Sequence, residues 1–335
     1  MTNRATGVGS MPGDDFADAV QIVLGEVGDL PFLPELPARG IHAGMTARAL
    51  ATISELGVDL QPAGWRLTDA SGLDHRRAVS LLNRDLDMLE EVRPARLETI
   101  KVQLAGPWTL AATVERPRGD KVIGDYGARR DLAQALAEGV LRHVQDVRRR
   151  LSPDRVVLQI DEPALPSVLA GGVPTASGFH RHRAVDAPEA AQAIDWVIEE
   201  VAASGVETVL HCCAAAIPWK VLNGTRLDAV SLDLAQLAPH DLDELGAWVD
   251  AGRQVWPGVV PTEQAAQPPT ASEVTRKVLA WWSAVGFSDP EKVPATTLTP
   301  ACGLASASVP AARALLALVA EAAQNLSVEQ GKMER

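Results

Sequence analysis

Only three cysteines occur in the sequence. An odd number argues against a disulfide framework, and the adjacent pair Cys212 and Cys213 is poorly placed to bridge itself. Positive charge is also short: 31 Lys and Arg face 43 Asp and Glu, a net charge of −12. A nucleic-acid partner needs a basic face, so that class is excluded. No apolar run approaches the ~20 residues of a membrane span, and no signal-peptide stretch follows Met1-Thr2-Asn3-Arg4. The expected location is therefore the cytoplasm, where thiols stay reduced. There is no internal repeat of 20 to 50 residues and no low-complexity tract.

What is present is enough for a large core: 335 residues, 47% of them hydrophobic. Short β-rich runs alternate with helical patterns from end to end, the mark of repeated βα units. Eight such runs stand out: Thr6–Ser10, Pro31–Glu35, Ile100–Ala105, Val156–Asp161, Thr208–His211, Ala229–Asp233, Gln254–Val260 and Ala295–Thr299. Eight is the number that closes a (β/α)₈ barrel. Leu132, Leu136, Val140, Val144, Val147 and Leu151 recur at helical spacing. An Ala/Leu-rich segment, Val309–Leu326, predicts a closing helix. The expected domain is one barrel over 1–326, with a helical insertion at about 36–96 and a frayed tail over 327–335. The Gly171–Val185 stretch is either a lid or an ordinary surface loop.

In such barrels the active site lies at the C-terminal strand ends. Nearly every predicted strand ends on or leads to a polar residue there: Ser10, Glu35, Asp161, His211-Cys212-Cys213, Asp233, Glu263 and Cys302. His211 and Cys213 are two apart and can project to one side, whereas strand alternation turns Cys212 away into packing. A His-x-Cys pair with one distant Cys is the ligand set of a zinc site left open for chemistry. Asp233 is either a fourth ligand or a cap for the turn that follows it. Asp161-Glu162-Pro163 reads as a helix cap or as an acid ending an apolar strand. Gly9-Ser10 can be a plain turn, and His180 and His182 either contact an anion or face solvent.

Several of these motifs resemble those of the cobalamin-independent methionine synthases. They are Leu158-Gln159-Ile160-Asp161-Glu162-Pro163-Ala164-Leu165, His211-x-Cys213, Thr299-Pro300-x-Cys302-Gly303-Leu304 and the opening Gly9-Ser10-Met11-Pro12. The resemblance covers the family's C-terminal catalytic barrel and implies a barrel of the uroporphyrinogen decarboxylase/methionine synthase type in single-barrel form. It implies zinc held by His211, Cys213 and Cys302, with Asp233 where the family has a glutamate. Ser10 is expected at the carboxylate of homocysteine, and Asp161 at its amino group, with Glu35 also on the substrate side. The implied reaction is methyl transfer to the homocysteine thiol, and Asp161 and Glu263 are the expected catalytic acids.

The donor side departs from the pattern. The family's folate-stacking tryptophan falls at Thr113, its second donor-side acid at Ser167, and a proton-delivering histidine at Glu263. Trp108 is either a substitute stacking face or a core residue. The donor is therefore left open between a folate and a corrinoid, the latter including a possible corrinoid protein as partner. Two further readings stand beside this one: a decarboxylase of the uroporphyrinogen type, and a zinc-binding protein whose catalysis has decayed.

Overall fold

A computed structural model describes residues 3–262 and 268–331. The chain opens with β1 (Arg4–Ala5), α1 (Phe16–Glu26) and α2 (Met45–Thr52). A hairpin follows, β2 (Gly57–Gln61) and β3 (Gly64–Thr68), and then α3 (Leu73–Val92). From there strands and helices alternate: β4 (Thr99–Ala105), α4 (Pro107–Thr113), α5 (Tyr126–Leu151), β5 (Arg155–Asp161), α6 (Leu165–Leu169), α7 (Ala187–Ala203) and β6 (Glu207–Cys212). The last part holds α8 (Trp219–Leu222), β7 (Ala229–Asp233), α9 (Asp241–Asp250), β8 (Gln254–Val260), α10 (Ala271–Val285), β9 (Thr297–Pro300) and α11 (Val309–Glu329).

Local chemistry explains several boundaries. The carboxylate of Asp125 accepts from the Ala128 amide and starts α5, and Arg148 to Arg150 complement the negative end of its dipole. Thr270 and Glu273 form a reciprocal capping box on α10. Ser308 caps α11 just ahead of Pro310.

Among the described residues, seven parallel strands form one curled sheet in the order β1-β9-β8-β7-β6-β5-β4. The predicted second strand, Pro31–Glu35, appears as isolated bridges: Phe32 pairs with Lys101 and Glu35 with Ser10. Pro31 and Pro34 have no N–H to donate, so a continuous ladder cannot form there. The first strand, Arg4–Ala5, lies ahead of the expected Thr6–Ser10, of which only Ser10 is paired, as an isolated bridge. Gly7 and Gly9 lie tight against Phe32 and Gln103, and a Cβ on Gly9 would sit 2.8 Å from the Gln103 side chain.

Two other expectations are corrected. The 36–96 region is not wholly helical, because β2 and β3 pair antiparallel within it. Nor does the chain fray at Ser327. The Asn3 side-chain amide donates to Ser327 Oγ and Gln330 Oε1, both at 3.0 Å, which buries both groups and carries α11 on to Glu329. Residues 332–335 of that tail lie outside the described residues. No described helix is long and apolar enough to cross a membrane.

Along the strands every second residue faces the sheet's inner side, and its chemistry changes with height. Val157, Val209, Ala229 and Trp256 pack together with Leu30 as an apolar floor. On β5 the same face continues to Gln159 and Asp161, and on β6 to His211 and Cys213. The polar residues thus collect at the C-terminal ends above a dry base.

Candidate active site

β6 carries His211 next to its last residue, Cys212, and delivers Cys213 one residue past its end, while β9 delivers Cys302 across the sheet. The ligand atoms of His211, Cys213 and Cys302 all lie within 4.8 Å of one another. The Cys213 and Cys302 sulfurs are 2.8 Å apart. That shared hydrogen bond is the main reason the Cys302 thiol is held well below its usual range and the Cys213 thiol above it.

His211 is 4% exposed, and its Nδ1 lies 3.0 Å from Ser231 Oγ on β7. Its Nε2 is buried with no hydrogen-bond partner. A buried ring nitrogen left unpaired is costly in protein interiors unless something else binds it. Beside two thiols it completes a nitrogen and sulfur donor set of the kind zinc prefers, with Ser231 fixing the ring from behind. Cys212 points into the hydrophobic core, where burial pushes its thiol up to about 11.

Asp233 stands apart from this group. Its Oδ1 accepts from the Ala235 amide at 2.9 Å and caps a short 3₁₀ turn, which was one of its two expected roles. Glu162 is likewise engaged. It accepts from the backbone amides of Trp108 and Thr109 at 2.9 and 2.7 Å, and so anchors the first turn of α4. Burial pushes its carboxyl up to about 7. The residue before it, Asp161, faces the interior and receives Gln159 Nε2 at 2.6 Å, and burial raises it too, to about 7.

Ser10 and the last motif interlock. The Leu304 amide donates to the Ser10 carbonyl at 2.8 Å, and the Ser10 side chain occupies the space a Cβ on Gly303 would need. Glu35 is 4% exposed, accepts from Gln103 Nε2 at 3.1 Å, and has Arg48 of α2 3.5 Å away. Ser10, Glu35 and Cys302 are therefore linked through neighbouring backbone and side chains.

Glu263 lies outside the described residues. Thr113 and Ser167 are exposed. Trp108 is 2% exposed and donates its indole N–H to the Ala190 carbonyl, so it is a core residue. His182 is paired with Asp120 at 3.1 Å and His180 is exposed. Sequence reading missed Lys101, Gln103, Ser231 and the contact from Arg48. The available signal was period two: Lys101 and Gln103 interrupt the apolar run of β4 on one face.

The family model of the cobalamin-independent synthase catalytic domain matches residues 89–325. The chain belongs to the cobalamin-independent methionine synthase family. The match takes in His211, Cys213 and Cys302, so this methionine synthase-family chain has the three clustered side chains within the family's own catalytic domain. A B12-independent methionine synthase from Shewanella sp. W3-18-1, solved in complex with selenomethionine, has a similar fold. The two superpose with a TM-score of 0.63 over 98% of this chain and 99% of that one, at 14% identity. A search among curated proteins found no match.

Proposed function

We propose that this methionine synthase-family protein is a zinc-dependent methyltransferase that places a methyl group on the thiol of homocysteine. The observation that carries the reading is the buried, unpartnered Nε2 of His211 beside the Cys213 and Cys302 sulfurs. In this reading His211, Cys213 and Cys302 hold the metal, and Asp233 keeps its cap. Zinc bound there supplies the means to hold an acceptor thiol as its nucleophilic thiolate at neutral pH. Ser10 takes the acceptor's carboxylate, and Asp161 and Glu35 take its amino group. Glu263, on the resemblance alone, gives a proton to the leaving amine as the S–CH₃ bond forms and the donor's bond to methyl breaks. The segment Pro31–Glu35 serves as the eighth stave of a (β/α)₈ barrel.

A family described as cobalamin-independent favours a folate donor over a corrinoid. A decarboxylase has no use for the His211, Cys213 and Cys302 group. The test is metal analysis together with methyl transfer to homocysteine from methyltetrahydrofolate, its polyglutamates and methylcobalamin in parallel. Zinc near one per chain and methionine from a folate support the proposal. Stoichiometric zinc with no product from any donor refutes it. Cys213→Ser is expected to abolish both zinc retention and transfer, whereas a decarboxylase would survive that change.

A further inference from the structure

Beneath the two acids expected to grip the acceptor's amino group lies a lysine that is fully buried. Lys101 of β4 is 0% exposed, and its ammonium has three donors. They go to the Val8 carbonyl at 2.8 Å, Gln159 Oε1 at 2.9 Å and Gln103 Oε1 at 3.3 Å. Each glutamine then spends its own Nε2 in the same way, on one backbone carbonyl and one carboxylate. Gln103 donates to Leu33 O at 2.7 Å and Glu35 Oε1 at 3.1 Å. Gln159 donates to Val8 O at 2.8 Å and Asp161 Oδ1 at 2.6 Å.

An ammonium only donates, so it fixes which way both amides face: oxygens toward Lys101, nitrogens toward the acids. The result is a two-armed network with no unused donor on the lysine or on either amide. Burial is costly for such a group, and it lowers the Lys101 pKa to about 7 against the opposing pull of Asp161 and Glu35. An apolar residue would fill this position without that cost.

We propose that Lys101 is a positioning residue for amine recognition, acting through Gln103 and Gln159 to hold Glu35 and Asp161 as one paired receptor for the acceptor's ammonium group. This rests on the homocysteine reading above. It adds that selectivity for an amino thiol over its des-amino analogue is set by a residue that touches neither compound.

The test compares binding of homocysteine and 4-mercaptobutanoate to zinc-loaded protein by calorimetry, in the unsubstituted chain and in Lys101→Met. The unsubstituted protein is expected to prefer homocysteine. Lys101→Met is expected to lose about tenfold or more of that preference, in line with hydrogen bonds to charged groups, while zinc content and 4-mercaptobutanoate binding hold. A preference that is kept or increased in a folded, zinc-loaded Lys101→Met overturns the inference and leaves the homocysteine reading standing. If the unsubstituted protein binds neither thiol, the homocysteine reading fails first and takes the inference with it. Should Lys101→Met not fold, Gln159→Leu breaks the Asp161 arm alone. The same loss of preference there supports the proposal, and its retention overturns it.

Discussion

Acid should loosen this protein through His143, a residue of α5 outside the proposed ligand group. His143 lies on the buried face of α5, 6% exposed, and its Nε2 has no hydrogen-bond partner. Burial, reinforced by the nearby Arg48 guanidinium, pushes its pKa down from 6.5 to about 4. The folded state therefore favours the neutral ring. The stability this represents is fully present above pH 6.5 and is lost as pH falls through about 4. At about 1.4 kcal/mol per pH unit, the interval corresponds to about 3 kcal/mol, a large share of the 5–15 kcal/mol typical of a folded chain. The perturbation is His143→Met, which fills similar space and cannot titrate. Urea unfolding of both proteins from pH 4 to 8 measures the effect. Near pH 7.5 the two should differ little, and the Met variant should be progressively the more stable below pH 6.5. Stability curves that stay parallel across that range would refute the assignment of a neutral, buried imidazole.

Other outcomes concern the site. Ser231→Ala removes the hydroxyl beside His211 Nδ1 and is expected to weaken zinc binding roughly 10–100-fold, measured by chelator competition. Unchanged affinity would show that the ring needs no support from β7. Gly303→Ala forces a methyl into the space of the Ser10 side chain, with an expected cost of about 1–3 kcal/mol in thermal or urea unfolding and reduced acceptor binding. A variant as stable and as active as the parent would mean that Ser10 has room to move.

Much of this was legible because a strand's two faces carry separate messages. Val157, Gln159 and Asp161 alternate with Val156, Leu158 and Ile160, and the polar drift along the first set marks the mouth. His211 and Cys213 follow the same rule on β6. The Pro31–Glu35 ladder was over-read because its hydrophobic character is strand-like while its two prolines deny the hydrogen bonds. Asp233 could not be assigned from sequence: an acid at a strand end serves equally as ligand or cap, and the fold shows its Oδ1 accepting from the Ala235 amide. Lys101 was passed over for a similar reason. A strand lysine normally reaches solvent, and only the tertiary fold shows its ammonium enclosed by Val8, Gln103 and Gln159.

The clasp between the chain's two ends has a consequence for the order of events during synthesis. Asn3 reaches Ser327 and Gln330, Ser10 fits against Gly303, and Cys302 meets Cys213 from 89 positions away. Contacts so distant in sequence form late, after the loop between them has been closed. A nascent chain emerging from the ribosome would carry His211 and Cys213 for some time before Cys302 and α11 appear. The three-donor group comes together only when β9 docks, so on the zinc reading the metal would be held only after β9 has joined the sheet.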